Sequence, residues 1–338
     1  MKPRLIFWMM LTVATAAMVL IVWFHRSAVP PAKPEAQNQS TSTVAQPVAK
    51  TPSAIVSSAP QPTASATQTE KQPPSAAQMV ANEKAGYQQR QEAIQKLATV
   101  KLTDSDRDIL YNFLRQHTAA DDGQPGQVLK NELLDALCAM QPPPQGLGEL
   151  LAQIYRDSGQ NIVLQDYAVQ HMAAYYRQMT AATGVDDQIR NDELKLTQQT
   201  MWDALNNTGS SIAGTALLDL TRLSQGGYSG FDQNKIADKA LDLAGQNGDE
   251  LTRITAMQVC ASLNVKLALP IVLGAAEQGE TKSVEISAIG ALGSLGGLGQ
   301  IPFLNTVLQG NDDRLKLPAQ QALNQIHQRL RQQAQKAG

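Results

Sequence analysis

From about Ala81 to the C-terminus, apolar residues recur at intervals of three and four. Examples are Ile109, Leu110, Phe113 and Leu114; Leu133, Leu134 and Leu137; and Leu147, Leu150, Leu151 and Ile154. That spacing collects them on one face of a helix, and no alternating strand pattern competes with it. Breaks at Pro142-Pro143-Pro144, Gly226-Gly227, Asn247-Gly248-Asp249 and Gly310-Asn311-Asp312-Asp313 separate the helical stretches. Asp and Ser at such breaks are placed to cap the helix that follows. Residues 81–338 therefore read as one all-α domain.

Two different patterns precede it. Leu5 to Phe24 is an uncharged run of 20 residues, the length a helix needs to cross about 30 Å of hydrocarbon. Phe7 and Trp8 near one end, and Trp23 and Phe24 at the other, suit the two interfaces. Residues 5–24 are expected to be a transmembrane anchor, with residues 1–4 inside and the C-terminal domain outside. A cleaved signal peptide fits less well, because its apolar core is about 7–15 residues and ends at small residues, whereas Phe24-His25-Arg26 follows here. Residues 25–80 then change character: nine of the chain's 17 prolines fall between Ser27 and Gln78, among Ser, Thr, Ala and Gln. Such a stretch cannot bury enough apolar surface to offset its ordering entropy. It reads as a disordered linker, with an average reach of about 40 Å as a coil and about 150 Å as polyproline II.

The last third of the chain repeats itself. Ala256 and Ala288 are 32 residues apart, as are Pro270 and Pro302; Leu292 and Leu323 are 31 apart, as are Ala288 and Ala319. Ala136-Leu137 and Ala168-Val169 show the same interval of 32 earlier on. A period near 32 accommodates two short helices and two turns. The prolines fall near the start of each second helix, where a missing N–H costs little. Ala288-Ile289-Gly290-Ala291-Leu292-Gly293-Ser294-Leu295-Gly296 followed by Ile301-Pro302-Phe303-Leu304 resembles a HEAT repeat. The closest likeness is to the short HEAT-like class first associated with bilin lyases. Arg253 and Lys316 stand three residues before Ala256 and Ala319, like that family's cation, whereas Glu285 before Ala288 departs from it. The resemblance is clearest over 249–329. It implies an α-solenoid of antiparallel helix pairs, in which each pair shares a core with its neighbours. The glycines at 290, 293, 296 and 297 then imply a closely packed first helix ending near Leu295.

Composition narrows the function classes. The net charge is -2 and the pI about 6.1, which gives no basic face for nucleic acid. Cys138 and Cys260 are too few for a disulfide framework and sit in apolar helical stretches, where free Cys acts as a small buried hydrophobe. None of the four histidines pairs with another His or Cys at a metal-ligand spacing, so no zinc site, and no cofactor site, is expected. His171 reads as a packed or surface histidine of a helix. Asp104-Ser105-Asp106-Arg107-Asp108 lacks the glycine and the terminal glutamate of a calcium loop and reads as helix-start carboxylates. Gly293-Ser294-Leu295-Gly296-Gly297 neither follows a strand nor carries a P-loop lysine.

The nearest binding signal is the cluster Tyr175-Tyr176-Arg177 together with Tyr155-Arg156, since Tyr and Arg dominate interface hot spots. The alternative for the same residues is core filling by one tyrosine and surface cover by another. The expected function is a non-enzymatic scaffold, tethered to a bacterial inner membrane through residues 5–24. Its domain would face the periplasm and bind a protein or cell-envelope partner. The second class is a lyase or other envelope enzyme, which the resemblance to bilin lyases implies.

Overall fold

A computed structural model of the chain describes residues 73–117, 123–279 and 281–337. These belong to one unit, Glu70–Gly338. The expected anchor at 5–24 and the linker up to residue 72 lie outside the described residues. No helix among the described residues is long and apolar enough to cross a membrane.

The described residues carry helices and no strand. In chain order they are α1 (Ala76–Ala81), α2 (Tyr87–Leu97), α3 (Asp104–Arg115), α4 (Gln124–Ala139), α5 (Leu147–Arg156), α6 (Ile162–Ala181), α7 (Asp187–Ala204), α8 (Ile212–Gln225), α9 (Gln233–Gly245), α10 (Glu250–Ser262), α11 (Leu269–Gln278), α12 (Lys282–Leu295), α13 (Ile301–Gln309) and α14 (Asp313–Ala337). Short 3₁₀ turns at Lys266–Ala268 and Leu298–Gln300 lead into α11 and α13.

Side-chain caps start many of these helices. Ser75, Thr103, Asn161, Asp186, Asp232, Asp249 and Thr281 each accept backbone N–H groups from the first turn that follows. Each such cap contributes about 1 kcal/mol. Pro125, Pro270 and Pro302 sit in the first turns of α4, α11 and α13, where their missing N–H is not needed.

Packing follows an alternating rule. The even-numbered helices α2, α4, α6, α8, α10, α12 and α14 each pack on the next even-numbered one. The odd-numbered helices form a second layer, with α1 on α3, α3 on α5, α5 on α7 and α9 on α11. Sequence neighbours joined by short turns close the two layers on each other, as in α5 with α6 and α11 with α12. The result is a stack of antiparallel helix pairs, even helix first, with one continuous apolar core between the layers. This is the α-solenoid arrangement, in which each pair is buried by its neighbours.

Two expectations need correction. The linker was placed as far as residue 80, but Ala76–Ala81 is helical and part of the core. Ala77 and Val80 are buried, and Ser75 Oγ donates to Asp106 Oδ1 at 2.8 Å. The apolar spacing Ala77/Val80 was too short to stand out beside Pro73 and Pro74. In α14, Leu315, Ala319, Ala322, Leu323 and Ile326 form the packed face, while Leu317 is 66% exposed; two residues beyond Leu315, it points about 200° around the helix. Only one glycine inside α12 is demanded by packing. A Cβ on Gly293 would lie 3.0 Å from Ala322 Cα, whereas one on Gly290 would meet nothing within 4 Å. The first helix does end at Leu295.

Candidate functional site

The five aromatic and arginine residues singled out from the sequence do not form one patch. Tyr155 and Arg156 end α5, next to the start of α6, whereas Tyr175 lies thirteen residues into α6, about 20 Å further along at 1.5 Å per residue. Tyr175 is fully buried and Tyr176 is 7% exposed, so both fill the core, the alternative reading of this cluster. The reason is packing against later helices. The Tyr175 hydroxyl donates to Glu193 Oε2 at 3.1 Å. The Tyr176 ring meets Phe231 edge-on at 5.0 Å and Tyr228 at 5.8 Å, which seats the α8–α9 turn on α6. Arg156 and Arg177 are exposed and Tyr155 is half-buried; Arg156 Nη2 donates to Thr200 Oγ1 at 3.0 Å.

His171 is buried as a structural residue. Its Nε2 lies 2.9 Å from Asn131 Oδ1 and its Nδ1 3.5 Å from Asp135 Oδ1. Burial lowers its pKa, and Asp135 partly opposes this. Cys138 and Cys260 are both buried thiols, and burial pushes the Cys260 pKa up to about 12. Among the described residues no group of three or more His, Cys, Asp or Glu is placed to hold a metal ion.

The feature that sequence reasoning missed is a groove of about 580 Å³ along one edge of the stack. Three consecutive first-to-second-helix turns build it. The α2–α3 turn supplies Val100, Lys101 and Leu102, with Asp104 and Arg107 just beyond; the α4–α5 turn supplies Met140, Gln141 and Pro142–Pro144; and the α6–α7 turn supplies Val185 and Asp186, followed by Ile189 and Glu193 on α7. Val100 and Ile189 remain 52% and 37% exposed. The triple proline and the long 179–187 connection were legible as breaks, but nothing local showed that successive breaks meet at one edge.

A small polar cluster holds the floor of this groove. Besides Tyr175, the backbone N–H groups of Gly146 and Glu149 face the Glu193 carboxylate, so a residue of α7 covers the start of α5. Burial raises the Glu193 pKa, while these donors pull it back down. Only glycine fits at 148 in this arrangement: a Cβ there would lie 2.3 Å from Glu193 Oε2 and 2.7 Å from Tyr175 Cε1. Under the α4–α5 turn, the Tyr111 hydroxyl donates to the Gln145 carbonyl at 3.1 Å. The cluster fixes the shape of the groove, and its polar groups are engaged in doing so.

No family model matches the chain, and no curated protein does. Among solved structures it is similar to an engineered protein at 15% identity and a TM-score of 0.39, covering 75% of this chain and 73% of that one. It is similar to Kap121p at 11% identity and a TM-score of 0.40, where 74% of this chain corresponds to 33% of Kap121p. It is also similar to human deoxyhypusine hydroxylase at 14% identity and a TM-score of 0.30, over 75% and 95% of the two chains. These likenesses are partial, and the helix-pair stack rests on the packing of this chain.

Proposed function

We propose that this chain is an interaction scaffold, tethered to a membrane by residues 5–24, that binds a protein or cell-envelope partner through the turn-edge groove. The observation that carries the binding part is the groove itself. Three successive turns of a rigid stack converge on it, and Val100 and Ile189 stay exposed inside it. Exposed apolar side chains gathered in a polar-rimmed concavity mark interaction sites. Glu193, whose raised pKa would suit an acid catalyst, is engaged by Tyr175 and the start of α5, which favours binding over catalysis. The likeness of 288–304 to the short HEAT-like class supports the same reading, since solenoids offer extended surfaces. The tether and the periplasmic location rest on the uncharged run Leu5–Phe24.

A photo-reactive side chain placed at Gln145 or Ile189 in the full-length chain should crosslink one discrete partner in native membranes. The same group at Gln320, exposed on α14, should not. Equal crosslinking from all three positions would sink the groove as the binding site. Carbonate extraction and protease treatment of spheroplasts test the tether separately: release of a soluble form shortened by about 25–30 residues would show cleavage instead.

A further inference from the structure

The groove has two unlike ends, and on the reading that it is a protein-binding site this difference names the partner's chemistry. We infer that the groove takes an extended partner segment of five to six residues, apolar through the middle, with a cation at the Asp186 end and a carboxylate at the Lys101 end. The length comes from the fold. The lining turns belong to three consecutive helix pairs; neighbouring helices pack about 8–10 Å apart, so the groove spans about 16–20 Å. An extended chain covers that distance in about five to six residues at roughly 3.3 Å each.

The charges come from what is already engaged inside the groove. Arg107 pairs with Asp104 at 2.8 Å and with Asp108 at 3.3 Å. Glu193 is held by Tyr175. Lys101 and Asp186 are exposed and form no ion pair among the described residues. Asp186 Oδ1 accepts the N–H groups of Gln188 and Ile189 as the cap of α7, which leaves its negative charge facing outward. Val100 lies beside Lys101 and Ile189 beside Asp186, and between the two ends the α4–α5 turn contributes Met140 and Pro142, all uncharged. An apolar middle with opposite charges at its ends matches that surface in order. The segment also binds in one direction, because reversal would set like charges together.

The test uses the full-length chain in detergent micelles and four fluorescent peptides. All share a core of alternating valine and proline; their ends are lysine and glutamate, both lysine, both glutamate, or both uncharged. The mixed-end peptide should bind tightest. Asp186→Asn removes the charge and keeps the cap, since asparagine caps as well as aspartate. It should weaken only the lysine-bearing peptides, by about two- to five-fold, the size of one exposed ion pair. Lys101→Gln should do the same to the glutamate-bearing peptides. Equal binding of all four peptides, or end-charge dependence that survives both substitutions, overturns the assignment of ends. Val100→Glu and Ile189→Glu separate that failure from a deeper one. If they abolish binding of the uncharged peptide, the groove stands as the site whatever the charge series shows. If they leave it unchanged, or if no peptide binds, the extended-segment reading falls as well.

Discussion

The stack is built in two ways along its length. From α10 onward the buried parts of the seams between successive even helices are apolar, with polar contacts such as Gln258–Ser287 and Arg329 to the Gly293 and Gly296 carbonyls only partly buried. Ala256, Met257, Ala288, Leu292, Ala319 and Leu323 fill them, and beyond Arg253 no polar side chain is buried among the described residues. From α4 to α8 polar groups interrupt the core in both layers and in the α5–α6 turn. Lys130, Gln160, Gln165, His171, Thr197, Thr200, Asp219 and Thr221 are all buried there. Apolar seams are interchangeable in kind, so each repeat can reuse the same residues. Polar seams need particular partners, such as Ser211 Oγ with Asp166 Oδ2 at 2.5 Å or His171 with Asn131. A polar seam therefore fixes one pairing and forfeits the repeat.

The sharpest test of the apolar region is Leu323→Ala. Leu323 is 4% exposed at the α12–α14 seam, and truncation should cost about 2–5 kcal/mol through lost burial and the cavity left behind. Because each pair leans mainly on its neighbours, hydrogen exchange should rise in α12 and α13 well before α4. Uniform loosening would mean that the described residues melt as one block and that the contrast between regions has no energetic content.

At the other end of the stack, α1 packs on α2 and α3. A fragment beginning at residue 82 loses the burial of Ala77 and Val80, the acceptor Val80 O for Arg90 Nε at 2.7 Å, and the Ser75–Asp106 hydrogen bond. Relative to a fragment beginning at residue 73, it should be destabilised by about 2–4 kcal/mol. Denaturant melts of the two fragments measure this. Equal midpoints would show that the domain starts after α1.

The polar region carries a pH signature of opposite sign to that of Asp312 before α14, whose carboxyl is held below the usual range by Arg314 and Lys282. Asp219 is 3% exposed, with Arg222 Nη1 3.4 Å from its Oδ1 and no hydrogen-bond partner for its Oδ2. Burial pushes its pKa up to about 7, against the opposing pull of Arg222 and Arg177 and with Asp166 adding to the rise. The native state thus holds a proton that the unfolded chain releases near pH 4. Stability should fall as pH rises from about 4 to 7 and level off above. His171 contributes the opposite slope, since its lowered pKa costs stability as pH drops below the ordinary histidine range. Asp219→Asn should remove the first slope, leave the second, and raise stability at pH 8 by about 1–3 kcal/mol, the cost of a buried group lacking its partners. An unchanged pH profile would show that the Asp219 carboxyl is solvated after all.

The same contrast explains what could be read from the chain before its fold was known. Ala256, Ala288 and Ala319 recur because each occupies the same apolar seam, and Pro270 and Pro302 because each opens a second helix. That regularity exposed the solenoid. In α4 to α8 only Ala136 and Ala168 keep that interval, and polar partners 40 residues apart, such as Asn131 and His171, interrupt the rest, so the pairs there were legible mainly as helices of plausible length. Tyr175 and Tyr176 looked like hot-spot residues because sequence shows their type and not their neighbours. Gly148 and Glu193 gave no signal, since their contact joins α5 to α7 across the intervening α6.

The smallest effect tests whether small residues in the apolar seams are needed for packing. Gly290 and Gly293 lie one turn apart in α12, both in a stretch that resembles the repeat consensus. A Cβ on Gly290 reaches open space, whereas one on Gly293 runs into Ala322 Cα at 3.0 Å and the Gln325 side chain at 2.4 Å. Backbone of a neighbouring helix cannot yield as a glutamine can, so Gly293→Ala must push α14 outward. Gly290→Ala meets no such obstacle, keeps helical backbone, and reduces the freedom of the unfolded chain. It should stabilise by about 0.5–1 kcal/mol, while Gly293→Ala destabilises by about 1–3 kcal/mol. Thermal melts of the two single variants settle the sign of each. If both variants destabilise, α12 is covered on the Gly290 side as well, and the seam extends further around the helix than the α10–α12–α14 contacts describe.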